Sequence, residues 1–482
     1  MATTKLTFGE WMPDQPGISG ALTDAKNVVS QAIGYGPMPT ASVFSVAASE
    51  SLTTLVAGKT PANSTKLFAA GSTKIYDVSG VGALTNVSKS GGYTPNANAD
   101  RFRFTQFGNV IIGTNNSNAM QAYTLGSSTA FADLSAAAPI CKYLTVVRDF
   151  VVTAFTTESS TVYANRVRWS GINDETEWGS SQVTQADYQD IPDGGQVVGI
   201  RGGEFGLVFL EKGISRMSYV GTPFIFQFDN ISRGKGCIAA GSIAQVQGIS
   251  FFLSDDGFYL CDGQQIQAIG SEKVDRWFFT NADEGAFDTM SAAVDPVRKL
   301  IIWNFKTISA QRQLIIYNFK TQKWTYGDAN SDYISDASTA AVTLENLDSI
   351  SSSIDALSAS LDSILYIGGK YFLGGTLGAY VVTYNGAPAS AKIVSGDLDL
   401  GGRSIVTLAR PQVDGGSADV AVASRTLLNQ DVNFSTPISA DEENRVSLRS
   451  NGRYHRIEVQ PTGDNWKTAI AVDVDIVGQG GR

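Results

Sequence analysis

Active sites are mostly built from histidine, cysteine and paired carboxylates, and this chain is sparing with the first two. It has one histidine, His455. A single imidazole cannot supply a histidine-metal cluster, and any His-dependent triad would hang on that one residue. His455 sits in Tyr454-His-Arg-Ile-Glu-Val, a stretch of alternating faces, with no GxSxG motif anywhere. It is expected to be structural. The three cysteines, Cys141, Cys237 and Cys261, have neither zinc spacing nor a pairing framework. Acidic turns at Ser254-Asp-Asp-Gly and Asn173-Asp-Glu-Thr-Glu depart from the calcium-loop pattern. The glycine pairs 194–195, 202–203 and 368–369 open no phosphate-binding helix. Basic residues are dispersed, the tightest group being Arg166-Val-Arg-Trp169. No catalytic residue, metal or cofactor is therefore expected. A carboxylate pair for glycoside cleavage leaves no sequence signature and stays open as an alternative.

Composition narrows the classes further. The chain has 482 residues, 43% of them hydrophobic, which is enough to build real cores. Only 17% are charged, against about 25% in an average domain. The net charge of −10 argues against a groove that grips nucleic acid through its phosphates. No window is apolar for long enough to span a membrane, and the opening residues lack the apolar core of a signal peptide.

The elements that must position any site read as strands. From 46 to 385, short β-branched and aromatic runs recur, such as Val110-Ile-Ile, Gly206-Leu-Val-Phe-Leu, Ile249-Ser-Phe-Phe-Leu and Leu314-Ile-Ile-Tyr. Gly, Asn, Asp or Ser bounds the runs, and Asp256-Gly257 reads as a hairpin turn. A recurrence of about 40 residues with four short strands per unit predicts a divergent β-propeller of about six or seven blades. An irregular multi-sheet β protein is the competing fold. From 386 to 482, period-two alternation predicts a small β-sandwich domain. The fold class is thus all-β.

Two stretches differ. Residues 1–45 are rich in Pro and Gly and predict an irregular docking arm. Its apolar residues Phe8, Trp11, Met12, Tyr35 and Met38 would pack on the chain's own body or form an assembly interface with a neighbouring subunit. Residues 347–364 carry a strict seven-residue repeat that opens on Leu-Asp or Ile-Asp each time. Its spacing suits an amphipathic helix, while its Ser and Asp content suits a tract of turns; a coiled-coil seam is a third alternative.

Several motifs together resemble the tail-hub and nozzle proteins of short-tailed bacteriophages, including the packaged-DNA stabilisation proteins. These are Phe8-Gly-Glu-Trp-Met-Pro-Asp-Gln-Pro, Asn27-Val with Gly34-Tyr-Gly-Pro-Met-Pro39, Arg168-Trp-Ser-Gly-Ile-Asn-Asp174 with Trp178, the Leu361-Asp-Ser tract, and Arg453-Tyr-His-Arg with Trp466 and Val472-Asp-Val-Asp. The resemblance implies a virion protein made in the host cytoplasm. It would form a homo-oligomeric, hexameric ring beneath the portal and adaptor proteins and beside other tail or fibre proteins. Double-stranded DNA would pass through without specific binding. The net charge of −10, repeated around such a ring, would repel it weakly if acids face the channel, and Asp348, Asp355 and Asp362 are the candidates. Two rivals are a propeller that binds or degrades host polysaccharide and a cytosolic scaffold for protein partners.

Overall fold

The computed structural model describes residues 2–60, 65–80, 82–97, 100–338, 353 and 372–479. The recurring strand runs become antiparallel four-stranded meanders. They extend from Thr54–Lys59 to Leu84–Asn86, from Arg103–Phe107 to Ala132–Asp133, from Ile140–Val147 to Asp187–Asp190, from Val197–Arg201 to Ile225–Arg233, and from Ala244–Val246 to Ile266–Ala268. These are the first five blades. A sixth wedge, Ser291–Asp295 to Lys323–Asp328, runs on into the C-terminal sheet. The last blade takes Tyr333–Ala337, Phe372–Leu377 and Tyr380–Thr383, and its outermost strand is Ser42–Val43 from the N-terminal segment. Among the described residues the propeller therefore shows six free-standing four-stranded sheets and one shared wedge.

Local chemistry explains the repeat. Two-residue hairpins join Phe107 to Val110 and Leu377 to Tyr380, with Gly108 and Gly378 at positive φ where a side chain would be strained. At the Asp-Asp-Gly hairpin the turn pair is Asp255-Asp256, and Gly257 already starts the return strand at φ 156°. Aromatic and branched side chains fill the gaps between blades. Phe68, Phe102, Tyr123 and Phe131 share one cluster, and Phe150, Trp169 and Phe226 share another. Neighbouring inner strands also exchange polar contacts. Thr54 donates to the Phe102 carbonyl at 2.8 Å, and the Val294 amide donates to Asp336 at 2.6 Å. Ser335 closes the circle by donating to the Leu55 carbonyl at 3.2 Å.

The N-terminal segment is not an irregular arm. Ala2–Thr7 pairs antiparallel with the last strand, Thr468–Gly478. Asp24–Lys26 lies between Lys323–Asp328 of the wedge and Lys392–Val394 of the C-terminal module. Val28–Ser30 and Tyr35–Pro37 form a small hairpin that reaches Ala469. These strands are too short for a period to show, and they form because ready-made sheet edges offer them partners. The C-terminal module is built from long strands, Leu398–Asp414, Ser417–Arg425, Val446–Thr462 and Thr468–Gly478. They bend at register shifts between Asp399 and Ser404 and between Val406 and Leu408, and they change partners along their length.

Candidate functional site: the propeller channel

The inner strands of the five blades, the wedge and the last blade converge on one channel. Its wall includes Leu55, Phe104, Leu144, Arg201, Gln245, Ala293 and Ser335, one from each meander. The channel is divided by side chains. Arg101 precedes the second blade, and its guanidinium donates to the carbonyls of Asp288 at 2.8 Å and Met290 at 2.7 Å, next to the wedge. Its cation also lies 5.0 Å from the Tyr333 ring of the last blade. A Cβ on Gly241 would come within 2.7 Å of this guanidinium and 1.8 Å of the Met290 carbonyl, so only glycine fits there. Arg101 is thus a bar across the axis.

Two further guanidiniums share the space. Arg103 lies against the Tyr143 ring at 4.8 Å and donates to the carbonyls of Arg101 and Lys142 at 3.4 Å. Arg201 ends the first strand of the fourth blade and donates to the carbonyls of Ile200 at 3.1 Å and of Ile243. Burial, reinforced by the charge of Arg103, pulls Arg101 and Arg201 each down to about 10, and burial lowers Arg103 as well. All three remain cations at neutral pH. On a neighbouring stretch of wall, burial pushes the Asp336 carboxyl up to about 6 against the pull of the Val294 amide and Arg201.

Two cavities open from this cluster. A chamber of about 220 Å³ is lined by Arg101, Arg103 and Arg201. A larger cavity of about 590 Å³ at the channel mouth shares Arg103 and Tyr143 with it. The mouth adds Phe155, Phe287, Lys142 and Lys212, with the carboxylates Glu211, Asp255 and Asp288.

The residues singled out from sequence lie elsewhere. Phe8, Trp11 and Tyr35 belong to the chain's largest core cluster, and Met38 packs on the wedge. Trp11 stacks on Tyr326 and meets Trp277 edge-on, both at 5.0 Å. Tyr35 is fully buried and donates to the Gly9 carbonyl at 2.6 Å. Met12 is half-buried, its amide bonded to the Leu22 carbonyl. An assembly interface made of these five side chains is therefore corrected, because four of them have no surface left to offer. Asp348, Asp355 and Asp362, with the rest of the 347–364 repeat apart from Ser353, lie outside the described residues.

His455 is buried between two serine hydroxyls, Ser404 at Nε2 (2.9 Å) and Ser424 at Nδ1 (2.6 Å), and burial lowers its pKa. Arg166 makes a two-pronged ion pair with Asp190 and is held between the rings of Tyr163 and Tyr188. All three cysteines are buried free thiols, and burial pushes Cys141 up to about 12 and Cys237 to about 11. None is poised as a nucleophile. The channel arginines were missed because Arg101 and Arg201 are a hundred residues apart in sequence. The one local signal was the alternation Arg101-Phe-Arg-Phe at the entry to an inner strand.

No family model and no curated protein matches the chain. Solved structures do resemble it. The WD40 domain of Neurospora crassa Pan2 is 8% identical with a TM-score of 0.39, covering 72% of this chain and 96% of that one. The Toxoplasma gondii coronin WD40 domain is 8% identical with a TM-score of 0.36, covering 74% and 87%. An exo-beta-1,3-galactanase of Phanerochaete chrysosporium is 12% identical with a TM-score of 0.27, covering 80% and 97%. These likenesses concern fold and carry no chemistry to this chain.

Proposed function

We propose that the chain is a structural subunit of a short-tailed phage tail, working as a ring of copies that extends the DNA passage below portal and adaptor. The observation that carries this reading is where the phage-like motifs sit. Trp11, Tyr35 and Met38 are core residues. Asn27 donates to Asp328 and to the Ser390 carbonyl, tying the N-terminal segment to wedge and C-terminal module. Arg168 donates to the Trp178 carbonyl, and Trp178 is itself buried. Trp466 and Val472 fill the C-terminal core. A likeness carried by packing residues fits a protein whose work is its shape.

The propeller's own axis is barred by Arg101, so any duplex must run between copies and not through one. Exposed apolar side chains on the third and fourth blades, Val162, Val183, Val220 and Phe224, offer contact area for neighbours. Electron microscopy of the purified protein, alone and with portal–adaptor complexes, tests the reading. A closed ring of copies around an opening wide enough for a duplex is expected. A monomer that never joins the complex sinks it.

A second reading has one observation in its favour: the channel mouth combines Tyr143 and Phe155 with carboxylates, as a sugar-cleaving cleft would. Hydrogen bonds from Lys235 hold Asp255 below the usual carboxylate range, the opposite of what a general acid needs. Shortened chains after incubation with host surface polysaccharide would favour this alternative.

A further inference from the structure

We infer that copies of this chain join head to tail through oppositely charged corners: the acidic corner of the third blade on one copy seats against the basic corner of the wedge on the next. The contact deepens the proposed ring of copies and rests on that reading.

The two corners begin as segregated charge in the sequence. From Trp169 to Ile200 there are six acids and no base, and from Pro296 to Gly327 six bases and no acid. The fold gathers each set. In the third blade, the connection from Trp169 to Asp187 folds back on itself: the Ile172 amide donates to the Thr184 carbonyl at 2.9 Å and the Gly171 amide to the Glu177 carbonyl at 2.7 Å. Glu175, Glu177 and Asp187 thereby share a corner with Val183, which is 89% exposed. In the wedge, two turns lie side by side, the Phe319 amide donating to the Lys299 carbonyl at 3.0 Å. Lys299, Lys320 and Lys323 thereby share a corner with Val297, which is 70% exposed. Asp190 is taken by Arg166 and Arg298 by Asp295, but among the described residues no ion pair engages Glu175, Asp187, Lys299 or Lys320.

Position makes the second copy the fitting occupant. Both corners lie on the same rim, because the first and third turns of an antiparallel meander open at one end. Every meander starts at the channel and runs the same way, as the parallel bridge between Val147 and Gly203 shows for the third and fourth blades. The wedge stands three places beyond the third blade in a wheel of seven, across the channel from it. Complementary patches on opposite sides of one rim give a heterologous contact, and identical steps close into a ring when the rotation allows. Opposite charges beside an apolar contact steer this docking and disfavour acid on acid or base on base.

Sedimentation velocity of the full chain over a range of concentrations tests the contact with two charge-reversed variants. Glu175→Lys with Asp187→Lys leaves both corners positive, and Lys299→Glu with Lys320→Glu leaves both negative. Each alone should self-associate more weakly than wild type by about tenfold or more. Mixed in equal amounts they should assemble again, alternating, because each corner then meets its complement, and a misfolded chain cannot give this rescue. If a reversed variant fails to fold, Val297→Asp, at an exposed position of the basic corner, carries the test, and weakened assembly is again expected. Reversal-sensitive assembly into open lines supports the contact and overturns the ring. Assembly undiminished in every variant, or folded variants that lose assembly without rescue on mixing, overturns the contact while the ring stands. A wild-type chain that stays monomeric, alone and with portal–adaptor complexes, overturns both.

Discussion

At the scale of single residues, Asp275 is the group with the sharpest consequence. Its carboxyl accepts the Phe258 amide at 3.1 Å and lies against two glycines. A Cβ at Gly257 or Gly270 would fall 2.1 Å or 2.0 Å from its oxygens, so any larger residue at either position would push the carboxyl from its place. Burial pushes the carboxyl up to about 7, with the charges of Asp14 and Asp256 adding to the shift. An unfolded Asp titrates near ~3.9, so between those values the folded chain holds the proton that the unfolded chain has released. The stability this group contributes is complete below ~4 and is lost as pH rises through about 7. Asp275→Asn keeps the acceptor for Phe258 and removes the charge. It should melt above wild type at about pH 8, and the gap should narrow toward about pH 5. A variant that melts lower than wild type at the alkaline end would show that the burial is not costly. His455 works in the opposite sense. Its lowered pKa makes stability fall as pH drops below about 6.5, so acid and alkaline losses come from different groups.

At the scale of elements, the N-terminal segment acts as a strap. Asp14 accepts the amides of Arg276 at 2.9 Å and Trp277 at 2.8 Å, capping the helix Asp275–Asn281 from another part of the chain. Trp11 is wedged beside Trp277 and Tyr326, and its indole N–H makes no hydrogen bond to any described residue. Its hold is therefore packing alone. Trp11→Ala should cost about 3–5 kcal/mol in urea unfolding, whereas Trp11→Phe, which strands no polar partner, should cost far less. Equal stability of wild type and the alanine variant, paired with lost oligomers, would return Trp11 to an interface. The strand Gly206–Leu210 and the wedge strands were legible because each is an apolar run closed by turn residues. Phe8 and Trp11 were legible as buried somewhere, but not where. Their partners lie across the chain, and strands of two or three residues such as Ser42–Val43 carry no period of their own. The channel site was hidden for the same reason, since closing the ring sets Arg201 beside Arg103.

At the scale of the whole molecule, composition and periodicity suggested three regions with borders near 45 and 385, but the core ignores both borders. One cluster joins Phe8 and Trp11 of the strap, Phe258, Trp303 and Trp324 of the propeller, and Ile393, Val459 and Trp466 of the C-terminal module. The sheet follows the same path. Asp24–Lys26 covers the outer edge of the wedge and passes the ladder to Lys392–Val394. Ser42–Val43 completes the last blade, so the strap also closes the propeller. Cutting at residue 386 would take away Lys392–Val394, the partner of Asp24–Lys26, together with Ile393, Val459 and Trp466 of the shared core. Domains that share a core do not unfold separately, because neither can keep its apolar surface from water alone. Calorimetry of the intact chain should therefore show one cooperative transition, and a fragment spanning 46–385 should aggregate or melt far below it. Two resolved transitions, with the lower one assigned to the C-terminal module by near-ultraviolet signals from Trp466, would mean that the shared core is too weak to couple them. The outcome bears on the proposed tail role, because a chain fused into one body would pass load from its strap to its propeller rim without a hinge between them.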